Sequence, residues 1–176
     1  STTETIVVKN VGELELEYTV SPLINNKKSG KDYCDASGGC DEYISNVTFG
    51  DINNSSSCDN YHDYTNLSTI VSPGQSYPIT ITNGNPIWAA DECGIWIDWN
   101  QDQDFDDTGE PITVSGTPGV GPYTADIIPP ASAVPGETRL RVRIAYAETP
   151  NPCGTTTYGE VEDYSVFVLG WLMIDN

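Results

Sequence analysis

The sequence predicts an all-β fold, an antiparallel β-sandwich of the jelly-roll or immunoglobulin-like kind that is stabilised by calcium. Three observations lead to this prediction. Short segments of alternating apolar and polar residues recur at roughly ten-residue spacing, turns rich in Gly, Pro and Asn separate them, and no stretch shows helical periodicity of useful length. A chain of 176 residues is long enough for one core, so one domain is the default expectation.

The chain begins with a predicted hairpin. In residues 5–20, apolar residues alternate with polar ones on both sides of an Asn-Val-Gly-Glu turn. Residues 21–40 are polar and glycine-rich and are interpreted as a linker or a long loop. The linker contains a basic cluster of three lysines, but no aromatic residues lie between them, so we interpret it as solvated.

Three strands are predicted in the next part of the chain, at residues 42–49, 67–71 and 76–82. A polar loop precedes the second and ends in Tyr61, His62, Asp63 and Tyr64. Two interpretations of this cluster stay open. The aromatic rings stack on a sugar, or they anchor the edge of a strand. A lone histidine with no neighbouring nucleophile is weak support for catalysis.

Residues 94–110 are the most distinctive stretch. They begin as a strand, with Ile95 and Ile97 on one face and Trp96 and Asp98 on the other, and continue into a dense acidic loop. The predicted metal ligands are Asp98, Asn100, Asp102, Asp104, Asp106 and Glu110. So many carboxylates in a short loop repel one another unless a hard cation neutralises them, and Ca²⁺ takes about six to eight oxygens. Mg²⁺ fits less well because it prefers octahedral sites that keep several waters.

The acidic loop only partly follows the calcium-loop pattern of helix-loop-helix proteins. Asp98, Asn100 and Asp102 fill its first, third and fifth positions, but Gln103 replaces the turn glycine and Glu110 comes one place late. The strand that leads into the loop also argues against flanking helices. We therefore predict a similar ligand arrangement on a β scaffold, the alternative being a solvated acidic loop that binds no ion.

The clearest strands come last, at residues 138–146 and 158–168. In the first, Leu140, Val142 and Ile144 are predicted to face the core, with a row of arginines on the opposite face.

These two strands are expected to pair. Arg141 or Arg143 should then meet Glu160 or Glu162, which leaves Asp163 to cap a turn or to join the metal site.

Charge and hydropathy exclude two classes of partner. The formal net charge of −19 repels nucleic acids and anionic membrane surfaces. No stretch approaches the roughly 18 apolar residues of a membrane span, and the first residues carry no signal-peptide pattern. We therefore expect a segment of a longer chain that binds no nucleic acid and does not insert into membranes.

The five cysteines indicate an oxidising compartment outside the cytoplasm. They lie in loop-like sequence and show neither the paired spacing nor the histidines of a zinc site. Two disulfides and one spare thiol fit best. Spacing does not decide the pairing, and Cys34 with Cys40 and Cys93 with Cys153 is the working guess.

Several ordered motifs resemble one family. They are EYISNVTFG at 42–50, NYHDYTN at 60–66, WIDWNQDQDFDDTGE at 96–110, PGETRLRVRIAY at 135–146 and CGTTTYGEVEDYSV at 153–166. Together they resemble the GEVED domain, over residues 33–168. The resemblance implies a β-rich accessory module of large secreted or surface bacterial proteins, often beside metalloprotease or other hydrolase domains. One departure is Asp102-Gln103-Asp104, where the family usually has D-G-D, so Gln103 must take the place of a turn glycine.

The two ends resemble a different structure. Residues 1–22 and 169–176 resemble parts of a bacterial immunoglobulin-like repeat, and we expect them to pack against each other. The module would then be inserted into, or capped by, a partial sheet of that kind.

Two functions compete. The first is a non-catalytic, calcium-stabilised module that binds a polysaccharide or a glycoprotein glycan and so targets an attached hydrolase. Its predicted ligand-binding residues are Tyr61, His62, Tyr64, Trp88, Trp99 and Tyr158. The second is a structural spacer or adhesin segment, stiffened by calcium and disulfides, that binds nothing specific. Exposed aromatics in a groove favour the first function, and buried aromatics favour the second.

In either case we expect a monomer that is attached to neighbouring domains. An enzyme is the third candidate, because the acids are explained as metal ligands and arginine partners.

Overall fold

In the computed structural model, which describes residues 32–170, the chain is all-β, and no helix occurs in that range. No membrane-spanning helix is therefore found among these residues. The strands, in chain order, are β1 (Ala36–Ser37), β2 (Ile44–Phe49), β3 (Ile52–Ser55), β4 (Tyr61–Val71), β5 (Tyr77–Asn83), β6 (Asp91–Ile97), β7 (Pro111–Ile112), β8 (Tyr123–Ile127), β9 (Gly136–Tyr146), β10 (Gly154–Thr155) and β11 (Gly159–Val168). The all-β prediction is confirmed, whereas the predicted hairpin of residues 1–22 and most of the tail 169–176 lie outside the described range.

Two larger sheets share one apolar core. One has the strand order β4-β11-β9-β6-β7 and the other β3-β2-β5-β8. Buried residues from both sheets form a single cluster that includes Ile44, Ile79, Ile95, Val142 and Val166. Alternation along each strand produces this core, because residues at every second position point to the same face. The shared core is the arrangement expected of a sandwich.

Two strand pairs depart from the predicted antiparallel arrangement. β11 runs parallel to β4, with a register shift between Tyr164 and Ser165 of β11, and β1 runs parallel to β10. Parallel neighbours need a long crossover connection. Here the crossover between β4 and β11 contains six other strands, β5 to β10, rather than a helix. A sequence pattern of alternating residues does not distinguish the two directions, so this part of the prediction is wrong.

The disulfides are also paired differently from the working guess. Cys34 bonds to Cys153 and Cys40 bonds to Cys58, each with Cα atoms 5.5 Å apart. Cys93 is a free, buried thiol. The reason is its place in β6, where the side chain belongs to the apolar core instead of a loop. The prediction of two bridges and one spare thiol is confirmed.

The arginines of β9 hold two segments, residues 34–37 and 151–153, against the outer face of the five-stranded sheet. We call these two segments the cover. Arg141 Nη1 donates to the carbonyls of Cys34 and Pro152, at 2.9 and 2.7 Å. Arg143 donates to the carbonyls of Ser37 and Asn151, both at 2.7 Å. These two guanidinium groups therefore fasten residues 34–37 and 151–153 to the sheet.

The predicted pairing of these arginines with Glu160 or Glu162 is wrong, although β9 and β11 do pair. In this antiparallel register Asp163 lies opposite Arg141, whereas Glu160 lies opposite Ile144. Residues that oppose each other share a face. The two glutamates therefore point toward the core and Asp163 toward the arginines.

Candidate functional site

The acidic loop leaves β6 where that strand passes from the core to the surface. Ile95 and Ile97 are buried in the shared core, and the next residue, Asp98, is completely buried on the opposite face. Its carbonyl accepts a hydrogen bond from Thr138 Oγ1, and its N–H donates to the carbonyl of Arg139, at 3.1 Å. The first residue of the loop is thus fixed to β9.

The Asp98 carboxylate organises the first turn of the loop. Its Oδ2 accepts hydrogen bonds from the Tyr33 hydroxyl at 2.7 Å and from the backbone N–H of Gln103 at 3.0 Å, while Oδ1 accepts from the N–H of Asp102 at 3.3 Å. Gln103 has a φ of 72°, in the left-handed region that a glycine adopts without strain. Gln103 therefore occupies the backbone conformation of a turn glycine.

A series of local hydrogen bonds explains why polar residues occur at every second position. The Oδ1 of Asn100 accepts a hydrogen bond from the N–H of Asp102 at 3.0 Å. In the same way, the Oδ1 of Asp102 accepts from the N–H of Asp104 at 3.3 Å, and the Oδ1 of Asp104 accepts from the N–H of Asp106 at 3.1 Å. Each is a side chain that satisfies the backbone two residues further on. The alternation thus has a structural cause that operates with or without an ion.

Glu110 closes the loop. Its Oε1 accepts from the N–H of Trp99 at 3.0 Å and its Oε2 from the N–H of Asp107 at 3.1 Å. Burial raises the pKa of the Glu110 carboxyl to about 7, and the charges of Asp98 and Asp107 act in the same direction, against the two backbone hydrogen bonds. Both ends of the loop are therefore held by buried carboxylates bonded to backbone amides.

Three carboxylates converge in the middle of the loop. Oxygens of Asp102, Asp104 and Asp107 all lie within 4.8 Å of one another. Asp107 also accepts a hydrogen bond from Asn100 Nδ2 at 2.6 Å. Hard divalent cations bind such oxygen sets. The arrangement is therefore chemically suited to hold a calcium ion.

The converging set differs from the six ligands predicted from sequence. Asp102 and Asp104 belong to it, whereas Asp98 and Glu110 use their oxygens on backbone amides and Asp106 is exposed outside it. Sequence reasoning missed Asp107 because it breaks the every-second-residue pattern. The signal that could have found it is the Asp106-Asp107 doublet followed by Thr-Gly, which is typical of a turn that brings the chain back.

The predicted ligand-binding aromatics do not form one surface. Trp99 is only 4% exposed and belongs to the core, with its Nε1 donating to the Gly109 carbonyl at 3.2 Å. The structure therefore corrects its assignment to a binding surface. The aromatic residue after the strand fills the space beneath the loop.

Tyr61, His62 and Tyr64 lie on β4, an edge strand of the five-stranded sheet. The His62 and Tyr64 rings stack with centroids 4.0 Å apart, and His62 Nδ1 lies 3.3 Å from an Asp59 carboxylate oxygen. The Tyr61 hydroxyl donates to Asp163 at 3.1 Å. Of the two interpretations left open by the sequence, these contacts favour a strand-edge anchor.

Trp88 and Tyr158 lie together in a groove of about 580 Å³. Trp88 is 48% exposed and Tyr158 is 45% exposed. Between them lies Tyr146, 37% exposed, whose ring centroid is 6.4 Å from that of Trp88 and 6.1 Å from that of Tyr158, with edge-to-face geometry in both pairs. The sequence did not identify Tyr146 as a groove residue, because Tyr146 is the last residue of the most regular strand and follows the pattern of that strand. We call this the aromatic groove.

The run GEVED itself, residues 159–163, is buried throughout. Glu160 Oε2 accepts from the N–H of Ile44 on β2 of the other sheet at 2.7 Å, and its Oε1 accepts from the N–H of Asp59, in the loop between β3 and β4, at 2.8 Å. Burial raises the pKa of the Glu160 carboxyl to about 8, against the effect of these two amides. Glu160 thus links β11 to the start of β2 in the opposite sheet and to the loop that connects the two sheets between β3 and β4.

Glu162 forms a second link. Its Oε1 accepts from Ser56 Oγ at 2.7 Å and its Oε2 from the Tyr164 hydroxyl at 2.6 Å. Tyr164 accepts in turn from Asn54 Nδ2 at 2.9 Å. Burial raises the pKa of the Glu162 carboxyl. The two acids of the inner face therefore accept hydrogen bonds from β2, from the loop between β3 and β4, and from Tyr164 on β11 itself.

Asp163 forms the outer contact. Its carboxylate accepts from Arg141 Nε at 2.7 Å and from Arg141 Nη2 at 2.8 Å, a bidentate pair, and from Arg139 Nη1 at 3.1 Å. At the start of the run, a Cβ on Gly159 would lie 2.0 Å from the Ile144 carbonyl oxygen, and the φ of 119° also requires glycine. Gly159, Glu160, Glu162 and Asp163 of the run therefore each have a structural reason.

Residues 92–167 match the sequence model of the GEVED domain. Over these 76 of its 176 residues, the chain is similar to a GEVED domain. No curated protein matches the chain, and no solved structure does. The GEVED domain is an accessory module family. The match does not include the whole aromatic groove, because Tyr43 and Trp88 of the groove precede residue 92, where the match begins.

Replacing Glu160 by Ala is expected to destabilise the protein. The change leaves the N–H of the buried Ile44 without its carboxylate partner, and a buried unpaired polar group costs about 1–3 kcal/mol, whereas water can reach the N–H of the exposed Asp59. We expect a loss of about 1–3 kcal/mol in urea unfolding. Glu148→Ala, at an exposed position, is the control and should change stability by less than about 0.5 kcal/mol. Equal stability of the Glu160 variant and the wild type would contradict the linking role.

Proposed function

We propose that this chain is a non-catalytic, calcium-binding accessory module of a secreted or cell-surface bacterial protein, which binds a polysaccharide in the aromatic groove and so keeps an attached hydrolase at its substrate. The two disulfides support an extracytoplasmic location, because such bridges persist in oxidising compartments. The accessory character of the GEVED family supports the role beside another domain.

The single observation that carries glycan binding is the exposure of three aromatic rings in one groove. Trp88, Tyr146 and Tyr158 would bury more apolar surface if they packed inward, yet each presents more than a third of its surface to solvent. Exposed apolar patches rimmed by polar groups mark binding sites. Flat aromatic faces beside hydrogen-bonding groups suit the apolar face of a pyranose ring.

Calcium would act on the loop rather than on the glycan. Asp102, Asp104 and Asp107 offer the converging oxygens, and Asp98 and Glu110 hold the loop ends by hydrogen bonds to its backbone. A cation among these carboxylates would remove their mutual repulsion and stabilise the loop between β6 and β7. The proposed role of the ion is therefore structural.

The buried acids support the absence of catalysis. Glu160, Glu162 and Asp163 are fully buried and bonded to backbone amides, hydroxyls or arginines. A pair of carboxylates for glycoside hydrolysis has to reach a sugar from opposite sides of the scissile bond. These three instead hold the two sheets and the cover together.

A structural spacer is the second candidate, and the cover supports it. The Cys34–Cys153 bridge and the arginine contacts fasten distant segments to one sheet. A chain built only to separate neighbouring domains would need this stiffness and no ligand. The groove experiment below distinguishes the two candidates.

Calcium is expected to raise the melting temperature of the wild type over its value in excess EDTA. Stabilisation by a bound ligand is about 2.7 kcal/mol at a hundredfold excess over the dissociation constant. Asp107→Asn should remove most of this difference, because Asp107 belongs to the converging set. Asp106→Asn removes the same charge one residue away and should keep it. Equal calcium responses of both variants and the wild type would contradict this site.

Trp88→Ala is expected to weaken polysaccharide binding at least about tenfold, the loss that corresponds to about 1.4 kcal/mol of stacking and burial. His62→Ala, in the aromatic cluster on β4, is the comparison and should bind like the wild type. Affinity electrophoresis against a panel of neutral and charged polysaccharides measures both. If no polysaccharide of the panel slows the migration of the wild type in the gel, the structural spacer becomes the better-supported function.

A further inference from the structure

We propose that the aromatic groove selects glycans that carry protonated amino groups, such as glucosamine polymers, over neutral or N-acetylated ones. This inference rests on the proposed function, because it specifies the glycan that the groove binds. The inference depends on the acidic residues in and beneath the groove, which take no part in the aromatic stacking proposed above.

The groove is acidic as well as aromatic. Its ten lining residues include the acids Asp41 and Glu42 and the aromatic residues Tyr43, Trp88, Tyr146 and Tyr158. Two of these ten are carboxylates, and none is Lys, Arg or His. A concave surface with one sign of charge attracts ligands of the opposite sign.

Glu42 is the unusual member of this set. It is 5% exposed, and its Oε2 has no hydrogen-bond partner within residues 32–170. Burial raises the pKa of the Glu42 carboxyl, and the charges of Asp91 and Asp41 raise it further. A buried carboxylate without a partner is costly. A cation in the groove would favour its ionised form and lower that cost.

A second acid lies behind the aromatic wall. Asp91 is fully buried, and its Oδ2 accepts from the backbone N–H of Trp88 and from Asn83 Nδ2, both at 3.0 Å. Its Oδ1 has no partner among the described residues. The backbone of the exposed tryptophan is thus bonded to one of these acids. The negative potential of Asp91 and Glu42 therefore acts beside the ring of Trp88.

The aromatic rings add to the same preference. The faces of Trp88, Tyr146 and Tyr158 carry the negative part of the ring quadrupole and attract cations within about 6 Å. In a glucosamine unit the ammonium group is attached directly to the pyranose ring. One sugar can therefore stack on an aromatic face and place its charge near the carboxylates. An N-acetylated sugar retains the stacking and loses the charge.

The test compares a β-1,4-linked glucosamine trimer with its N-acetylated form by isothermal titration calorimetry, in about 0.15 M salt, where exposed charges more than about 8 Å apart are largely screened. We expect the wild type to bind the amino trimer about tenfold more tightly, as one charge-assisted contact would give. Glu42→Gln and Asp41→Asn should each reduce this ratio toward one. Asp126→Asn, an exposed acid on β8 outside the groove, removes the same charge and should keep the ratio.

Each other outcome overturns a different claim. Equal binding of the two trimers rejects the amine preference and leaves glycan binding in place. If Asp126→Asn lowers the preference for the amino trimer as much as Glu42→Gln does, the preference comes from the net charge of the protein. This result rejects the groove as its cause. Penta-lysine that binds as tightly as the amino trimer, and depends on Glu42, identifies a groove for basic peptides and rejects the glycan. If neither trimer nor any polysaccharide of the panel binds, the proposed function fails together with this inference.

Discussion

The fold depends on carboxylates buried on the strand β11. On its inner face Glu160 and Glu162 accept hydrogen bonds from β2, from the loop between β3 and β4 and from Tyr164 of β11, and on its outer face Asp163 binds Arg141. Each carboxylate is expensive to bury alone, and each becomes favourable only when all its partners are in place. The acids of the run GEVED therefore couple the two sheets and the cover to one another. It also explains why the run carries no exposed acid for catalysis or metal binding.

The candidate sites lie outside this rigid centre. The acidic loop follows β6 and is fastened to β9 through Asp98, while the aromatic groove is formed by segments before β2, before β6 and around the end of β9. Function placed on loops around a fixed scaffold is common, because loops can change without loss of the core. The hydrogen-bonded acids of β11 therefore contrast with Glu42 and Asp91, each of which has one buried oxygen without a partner among the described residues. The protein satisfies its buried acids everywhere along β11 and leaves these two open beneath the groove.

Much of the fold could be predicted from the sequence, because strand alternation reports burial directly. The pairing of β9 with β11 and the left-handed turn at Gln103 follow from the sequence. The faces of β11 could not be predicted, since charged residues are expected to point outward, and the donors of Ile44, Ser56 and Asp59 that bind the two glutamates are more than a hundred residues away in the chain. The same distance concealed the Cys34–Cys153 bridge. For the site, sequence located the acidic loop and Trp88 but not Asp107 or Tyr146, whose roles depend on how the chain turns back.

The most direct test of this account is amide hydrogen exchange, measured residue by residue by NMR. The N–H groups of Ile44 and Asp59 donate to Glu160, and Asp59 is an exposed loop residue with no strand to protect it. If the buried carboxylate couples the two layers, the amides of Ile44, in the opposite sheet, and of Asp59 exchange only with global unfolding, as slowly as the amides shared by β9 and β11. Exchange of the Asp59 amide at the rate of an unstructured loop, while the amides of β9 and β11 remain protected, would contradict the central role of Glu160.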